Sequence, residues 1–135
     1  MSYEYRFRLG LSSVDRAGVL FYPELFRHAH DAYEVFMAHL GEDLSDILAE
    51  ESMLLPIVHA EADFHRPLRH GEDVTVRVRV VEVGESSYTM GFEFVDGSGA
   101  LCASVRSVHV CVDLGRRSPV ALPEDLREKL VETGM

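Results

Sequence analysis

One stretch of this chain carries a helical period at length, and the runs on either side of it carry the period of a strand. Leu25, Ala29, Ala32, Tyr33, Phe36 and Leu40 recur at spacings of three and four, with Pro23 suited to a first turn and Gly41 to a C-cap. This predicts one long helix from about Pro23 to Leu40. Its apolar stripe is wide for a surface helix, so something must cover it, and the flanking segments supply a sheet.

Those segments alternate. Tyr3, Tyr5, Phe7, Leu9 and Leu11 interleave with Glu4, Arg6 and Arg8, and Val74, Val76, Val78 and Val80 with Thr75, Arg77 and Arg79. Tyr88, Met90, Phe92 and Phe94 form a third run. Leu54 to Phe64 reads as a strand ended by Arg66-Pro67, and Leu101 to Leu114 as a long last strand between the hairpin signal Asp96-Gly97-Ser98-Gly99 and the breaker Gly115-Arg116-Arg117-Ser118-Pro119. Residues 42–53 suggest a short helix or ordered loop around Leu44, Ile47 and Leu48, and Pro123 to Leu130 a short amphipathic helix. The expected class is α+β: a long central helix wrapped by a curved antiparallel sheet of about five strands. At 135 residues the chain has room for one core, so 1–135 reads as a single domain. The edges of such a sheet call for cover or pairing with another copy, and a homodimer or homotetramer is expected.

Composition narrows the partners. Thirteen Lys+Arg against 23 Asp+Glu leave a net charge of −10, which repels nucleic acid and anionic membranes. The first residues alternate polar and apolar, and no apolar run approaches the roughly 20 residues that span a bilayer. A cytoplasmic protein is expected, with Cys102 and Cys111 as small buried hydrophobes of a reducing compartment. The seven histidines form no HExxH pair, and His28 and His30, two positions apart on a helix, point to different sides, so no metal site is expected.

Chemistry concentrates between the first strand and the helix, in Val14-Asp15-Arg16-Ala17-Gly18-Val19-Leu20-Phe21-Tyr22-Pro23. Amides at a helix start lack partners and sit at the positive end of the macrodipole, where they stabilise a developing oxyanion. Asp15 would lie close by as base or nucleophile. Equally, Asp15 caps its own turn while Gly18 supplies a positive φ; local chemistry leaves both open.

The pattern Asp15-x-Ala17-Gly18-Val19-x-x-Tyr22-Pro23 ahead of an amphipathic helix resembles the active-site stretch of hotdog-fold acyl-CoA thioesterases of the 4-hydroxybenzoyl-CoA thioesterase type. Leu55-Pro56-Ile57-Val58-His59-Ala60, Asp63-Phe64, Pro67, Val108-His109-Val110-Cys111-Val112 and Ala121-Leu122-Pro123 look like the 1,4-dihydroxy-2-naphthoyl-CoA thioesterases, so the likeness covers nearly the whole chain. The resemblance implies a hotdog fold, sites at a dimer interface, hydrolysis of an aromatic acyl-CoA, and no cofactor beyond the coenzyme A of the substrate. It makes Asp15 the catalytic carboxylate, as nucleophile or general base, and sets the Tyr22 amide against the thioester oxygen, with Gly18 and Val19 shaping the turn. Three residues depart from the pattern. Ser13 stands where relatives commonly carry an acid, and Glu24-Leu25 where Asn and an aromatic are frequent.

Other candidates carry two readings each. Asp31 and Glu34 are reserve carboxylates or solvated helix residues. His59, expected on the same side as Leu55 and Ile57, is a core histidine or an acyl-pocket residue, while His109, Cys111, Tyr33 and Phe36 read as structural. An acidic enzyme must gather cations locally for the phosphates of coenzyme A. Arg66, Arg69, His70, Arg77, Arg79, Arg116 and Arg117 are available, or are ordinary surface charges; Arg69, Arg116 and Arg117 are the ones the resemblance favours. Competing functions are a broad aliphatic acyl-CoA or acyl-carrier-protein thioesterase, and a non-catalytic acyl-CoA-binding module.

Overall fold

The computed structural model describes residues 2–50 and 53–134. In chain order the elements are β1 (Tyr3–Arg8), a 3-10 turn (Leu11–Ser13), α1 (Tyr22–His39), α2 (Leu44–Glu50), β2 (Met53–Leu54), β3 (Ile57–Phe64), β4 (Asp73–Val83), β5 (Ser87–Val95), β6 (Leu101–Val110), β7 (Val112–Asp113) and α3 (Glu124–Gly134). Five strands form one sheet in the order β1-β4-β5-β6-β3, every neighbour antiparallel. The expected α+β arrangement of a long helix on a five-stranded antiparallel sheet is therefore present.

Helix α1 forms where the period predicted it. Proline stands in its first turn, Glu24 complements the positive end of its dipole and His39 the negative end, and Gly41 leaves the helix at φ 84°. Its inward stripe is Leu25, His28, Ala29, Ala32, Tyr33, Phe36 and Met37. These side chains share one core with Val74, Val76, Val78 and Val80 of β4, the inward residues of β5 and β6, and Leu126 and Leu130 of α3, which packs on β4. Helix α3 runs past the predicted Leu130 to Gly134, and α2 occupies the middle of the 42–53 segment. Positions 51 and 52 of that segment and the side chain of Leu48 lie outside the described residues.

Two predicted strands are each divided. The run expected from Leu54 to Phe64 breaks at Pro56, which has no N–H for a ladder, so Leu54 pairs with Val112 of β7 and β3 begins afresh at Ile57 on β6. The run expected from Leu101 to Leu114 breaks at Cys111, whose N–H goes to the Ser86 carbonyl at 2.7 Å. The severed ends, β2 and β7, make a separate two-stranded sheet.

A further correction concerns His59. Ile57 lies opposite His109 but His59 opposite Val108, so two steps along β3 match one along β6 and a bulge sits at Val58. A one-residue slip exchanges the faces of every residue that follows. His59 thus leaves the face of Ile57 and turns outward, where its Nε2 lies 3.3 Å from Glu61 Oε1, and Ala60 takes the inward place opposite Ser107. The result is an edge strand whose residues are nearly all exposed.

Because Phe36 is fully buried between α1 and the sheet, with the Tyr3 ring 5.8 Å away, Phe36→Ala should lower stability by about 3–5 kcal/mol in denaturant unfolding. A loss below about 1 kcal/mol would contradict this packing.

Candidate active site

The Asp15 segment folds as a closed loop. Asp15 N–H donates to the Val19 carbonyl at 2.8 Å and Gly18 N–H to the Asp15 carbonyl at 2.9 Å, which requires the left-handed φ of 78° that glycine adopts without strain. The carboxylate takes part: Oδ1 accepts from the amides of Ala17 at 2.9 Å and Val19 at 3.1 Å. The capping role is real, but it uses one oxygen. Oδ2 has no hydrogen bond among the described residues, and the side chain is exposed.

The loop is anchored on two sides. Leu20 N–H donates to the Leu68 carbonyl at 2.8 Å and His70 N–H to the Gly18 carbonyl at 2.9 Å, so Val19 bridges Arg69 and that arginine stands beside the turn. On the other side Phe21 N–H donates to the Ser13 carbonyl at 3.0 Å, and α1 begins at the next residue. The Tyr22 amide has no acceptor within the helix ladder, and Pro23 has no N–H to add. The loop thus delivers a half-free carboxylate and an open helix-start amide to one end of α1.

Behind the loop lies a polar chain that the sequence reading did not find. Ser13, 2% exposed, donates its hydroxyl to Glu24 Oε1 at 2.9 Å and meets His28 Nε2 at 3.0 Å, while Phe7 stacks on the His28 ring at 4.2 Å. The hydrogen bond from Ser13 holds the Glu24 carboxyl below the usual carboxylate range, and burial lowers the affinity of His28 for a proton. Ser13 and Glu24 are two of the three residues that depart from the pattern the sequence resembles. The Glu24 carboxylate reaches the Ser13 hydroxyl from the first turn of α1.

The cavities sort by position. One of about 310 Å³ adjoins the loop at Val19, Leu20, Leu68 and Phe64. A second, of about 150 Å³, lies under β3 and is lined by Phe26 and Tyr33 of α1, Ile57 of β3, and Phe92, Ser107 and His109. A third, of about 210 Å³, shares His30 and Tyr33 with the second and continues toward Ile47 and Met53. A further one, of about 660 Å³, is lined by charges of both signs, including Arg6, Arg8, Arg77 and Asp73.

Tyr33 and His109 are buried as expected of structural residues, yet both face these cavities. The His109 ring stacks on Tyr33 at 4.5 Å and on Tyr88 at 4.9 Å, and the two phenol oxygens hydrogen-bond each other. Burial pushes the Tyr33 phenol up to about 12 and the Tyr88 phenol higher still, so both stay neutral. His109 Nε2 meets Ser107 Oγ at 2.9 Å; its Nδ1 has no hydrogen-bond partner among the described residues. Burial lowers the His109 pKa to about 4, the nearby His30 adds to this, and the Leu55 carbonyl partly offsets it without closing a hydrogen bond of normal geometry. A buried polar atom left without a partner costs about 1–3 kcal/mol.

The remaining candidates lie apart from the loop. Arg116 follows β7 and is held by Asp113, its amide 2.8 Å and its Nε 3.6 Å from Oδ2, and Arg117 sits in the same turn at φ 55°. Asp31 is half-buried and Glu34 exposed on α1, and Cys102 and Cys111 are free and buried. Among the described residues no group of three or more His, Cys, Asp or Glu is placed to hold a metal, and no helix is long and apolar enough to cross a membrane.

One long helix on a five-stranded antiparallel sheet, with a carboxylate loop at the start of the helix, is the layout of a hotdog-fold protein. A model of the Thioesterase-like superfamily matches residues 9–130, and the chain belongs to that family. It is 29% identical over 132 residues to a 1,4-dihydroxy-2-naphthoyl-CoA hydrolase of Rippkaea orientalis, covering 96% of each chain. Among solved structures it is similar to a 1,4-dihydroxy-2-naphthoyl-CoA thioesterase from Synechocystis, with a TM-score of 0.92, 25% identity and coverage of 98% of this chain and 97% of the other. A gentisyl-coenzyme A thioesterase aligns with a TM-score of 0.84 and 26% identity over 96% of this chain and 99% of its own.

The His109 environment makes a prediction about acid. The folded ring titrates near 4 against an ordinary 6.5, so the unfolded chain takes up a proton that the folded one refuses, and stability falls as pH drops from 6.5 to 4. The loss attributable to this ring is on the order of 3 kcal/mol. Urea unfolding of wild type and His109→Gln across that window should show a shallower acid decline in the variant; parallel declines would contradict the assignment.

Proposed function

We propose that this chain hydrolyses an aromatic acyl-CoA thioester, with Asp15 and the Tyr22 amide as the reacting pair. The observation that carries the reading is the division of labour within one carboxylate: Oδ1 is tied to the loop amides, which fixes the group, and Oδ2 is left for chemistry at the helix start. The names of the three relatives described above, thioesterases or hydrolases of aromatic acyl-CoA, support the substrate class.

The steps follow from that geometry. The thioester oxygen accepts from the Tyr22 N–H, where the helix dipole favours the negative charge that develops on it. Asp15 Oδ2 either attacks the carbonyl carbon, giving an anhydride that water then opens, or takes a proton from a water that attacks directly. In both routes the C–S bond breaks, the coenzyme A thiolate leaves and is protonated, and the carboxylic acid is released. Gly18 and Val19 hold the turn. Arg69 beside it, and Arg116 and Arg117 at the β7 turn, are the cations offered to the coenzyme A phosphates. The chemistry calls for no metal or redox cofactor.

The site is proposed to be completed by a second copy. Strand β3 is a sheet edge with Ile57, Val58 and Phe64 exposed, and Asp15 is open to solvent in the single chain. Sedimentation should therefore give a dimer or tetramer, and a fully active monomer would contradict it.

The activity itself is tested by thiol release from a panel of aromatic and aliphatic acyl-CoAs. Aromatic turnover should exceed aliphatic, and Asp15→Asn should lose about 10²-fold or more in kcat with its circular dichroism unchanged. No turnover of any thioester by a folded oligomer would leave Asp15 as a turn residue and the chain as a binding module.

A further inference from the structure

Among the described residues, the side-chain hydrogen bonds that reach α1 from the chain ahead of Asp15 all meet at one hydroxyl, that of Ser13. Ser13 stands two residues before Asp15, is 2% exposed, and has a single side-chain proton to give. The Glu24 carboxylate only accepts, so that proton goes to its Oε1 at 2.9 Å. The Ser13 oxygen then accepts from His28, which sets the imidazole proton on Nε2, 3.0 Å away. Positions 24 and 28 are four apart and share a face of α1, so the helix grips the hydroxyl with two side chains of successive turns. His28 is itself held by the Phe7 ring of β1, stacked at 4.2 Å and 9°. The Ser13 carbonyl completes the grip by accepting from Phe21 N–H at 3.0 Å. The other anchors, Leu20 to Leu68 and His70 to Gly18, tie the loop to the connection between β3 and β4 instead. They leave the spacing between Asp15 and the helix start to Ser13.

We propose that Glu24, acting through the Ser13 hydroxyl, is a positioning residue for the hydrolysis, setting the distance between the Asp15 carboxylate and the first amide of α1. The proposal rests on the thioesterase reading of that pair and adds to it a residue that acts through the loop. An acid in a first turn is ordinarily accounted for by the helix dipole, and the ion pair with Arg27 at 3.1 Å is an exposed one of little weight. Neither accounts for a bond from that acid to a buried hydroxyl outside the helix. A hydrogen bond to a charged acceptor is stronger and shorter than a neutral one, and the Ser13 bond in turn keeps the Glu24 carboxyl ionised. Reacting groups must stand within about 3–3.5 Å, and a misplacement of about 1 Å costs on the order of 10² in rate, so a tether of this kind shows in turnover.

The test separates the hydrogen bond from the charge and from the fold. Glu24→Ala removes the acceptor, Glu24→Gln keeps an amide oxygen in its place, and Arg27→Ala removes the exposed ion pair while leaving the Ser13 bond. In thiol release from an aromatic acyl-CoA, Glu24→Ala should lower kcat about tenfold or more with KM within about twofold. Glu24→Gln should recover most of that loss, and Arg27→Ala should match wild type. An unchanged kcat in Glu24→Ala, an equal loss in Arg27→Ala, or no recovery in Glu24→Gln overturns the proposal. Amide hydrogen exchange reads the tether without turnover: Phe21 N–H should exchange about tenfold faster or more in Glu24→Ala, and at the wild-type rate in Arg27→Ala. Equal rates in all three overturn the proposal even where activity falls. The two readings fail separately. Turnover that Glu24→Ala leaves intact removes the positioning role and keeps the thioesterase. Faster Phe21 exchange in a protein that hydrolyses no thioester keeps the tether and removes the thioesterase, and with it the role proposed for Glu24.

Discussion

Burial of one wide helix stripe by one sheet organises everything else in this molecule. Helix α1 carries seven inward residues, from Leu25 to Met37, and no other helix among the described residues offers it a comparable face, so β4, β5 and β6 must supply the cover. That requirement places the start of α1 where β1 hands the chain over, and the crossing is made by the loop that contains Asp15. The loop is then held by three backbone hydrogen bonds on its two sides: Phe21 to Ser13 on one, and Leu20 to Leu68 and His70 to Gly18 on the other. A carboxylate on a loop so anchored keeps a defined position relative to the first amide of α1, which is what acyl transfer asks of a base or nucleophile.

The helix also divides the polar groups between two tasks. At its first turn, Ser13, Glu24 and His28 form a closed chain in which each buried polar atom of the hydroxyl and the imidazole edge finds a partner. Two turns further on, Tyr33 meets Tyr88 and His109 in a second cluster, and there one nitrogen is left over. The first chain is complete and stiffens the loop. The second leaves His109 Nδ1 buried without a hydrogen bond of normal geometry, an arrangement that burial of the Tyr33 and Tyr88 rings around it sustains.

The helix and the succession of strands along the chain were readable because each rests on a local period, three or four in α1 and two in β4, and the antiparallel pairing because the connections between the later strands are short. The boundaries that failed rest on single residues whose effect is long-range. Pro56 looks like an interruption in a strand, but the chain on its two sides serves different sheets, which depends on where β7 lies. The bulge at Val58 leaves no mark in the alternation and reverses the face of His59 relative to Ile57. Asp15 was visible as a turn residue beside a helix start, while the split between its two oxygens was not. His109 read as structural since its strand period placed it in the core; that it also borders a cavity depends on Phe26, Ile57 and Phe92 arriving from three other elements. Ser13 and Glu24 were visible as separate departures from the resemblance, and only the hydrogen bond between their side chains joins them.

The central claim is that the free oxygen of Asp15 and the first amide of α1 converge on one carbonyl. A crystal structure of the oligomer with an aromatic acyl-CoA analogue, its thioester sulfur replaced by methylene, measures this directly. The account predicts the ketone oxygen about 2.7–3.1 Å from Tyr22 N and the ketone carbon about 3–3.5 Å from Asp15 Oδ2 or from a water bound to it. A ketone bound away from the start of α1, with both oxygens of Asp15 engaged only in their own loop, would contradict it.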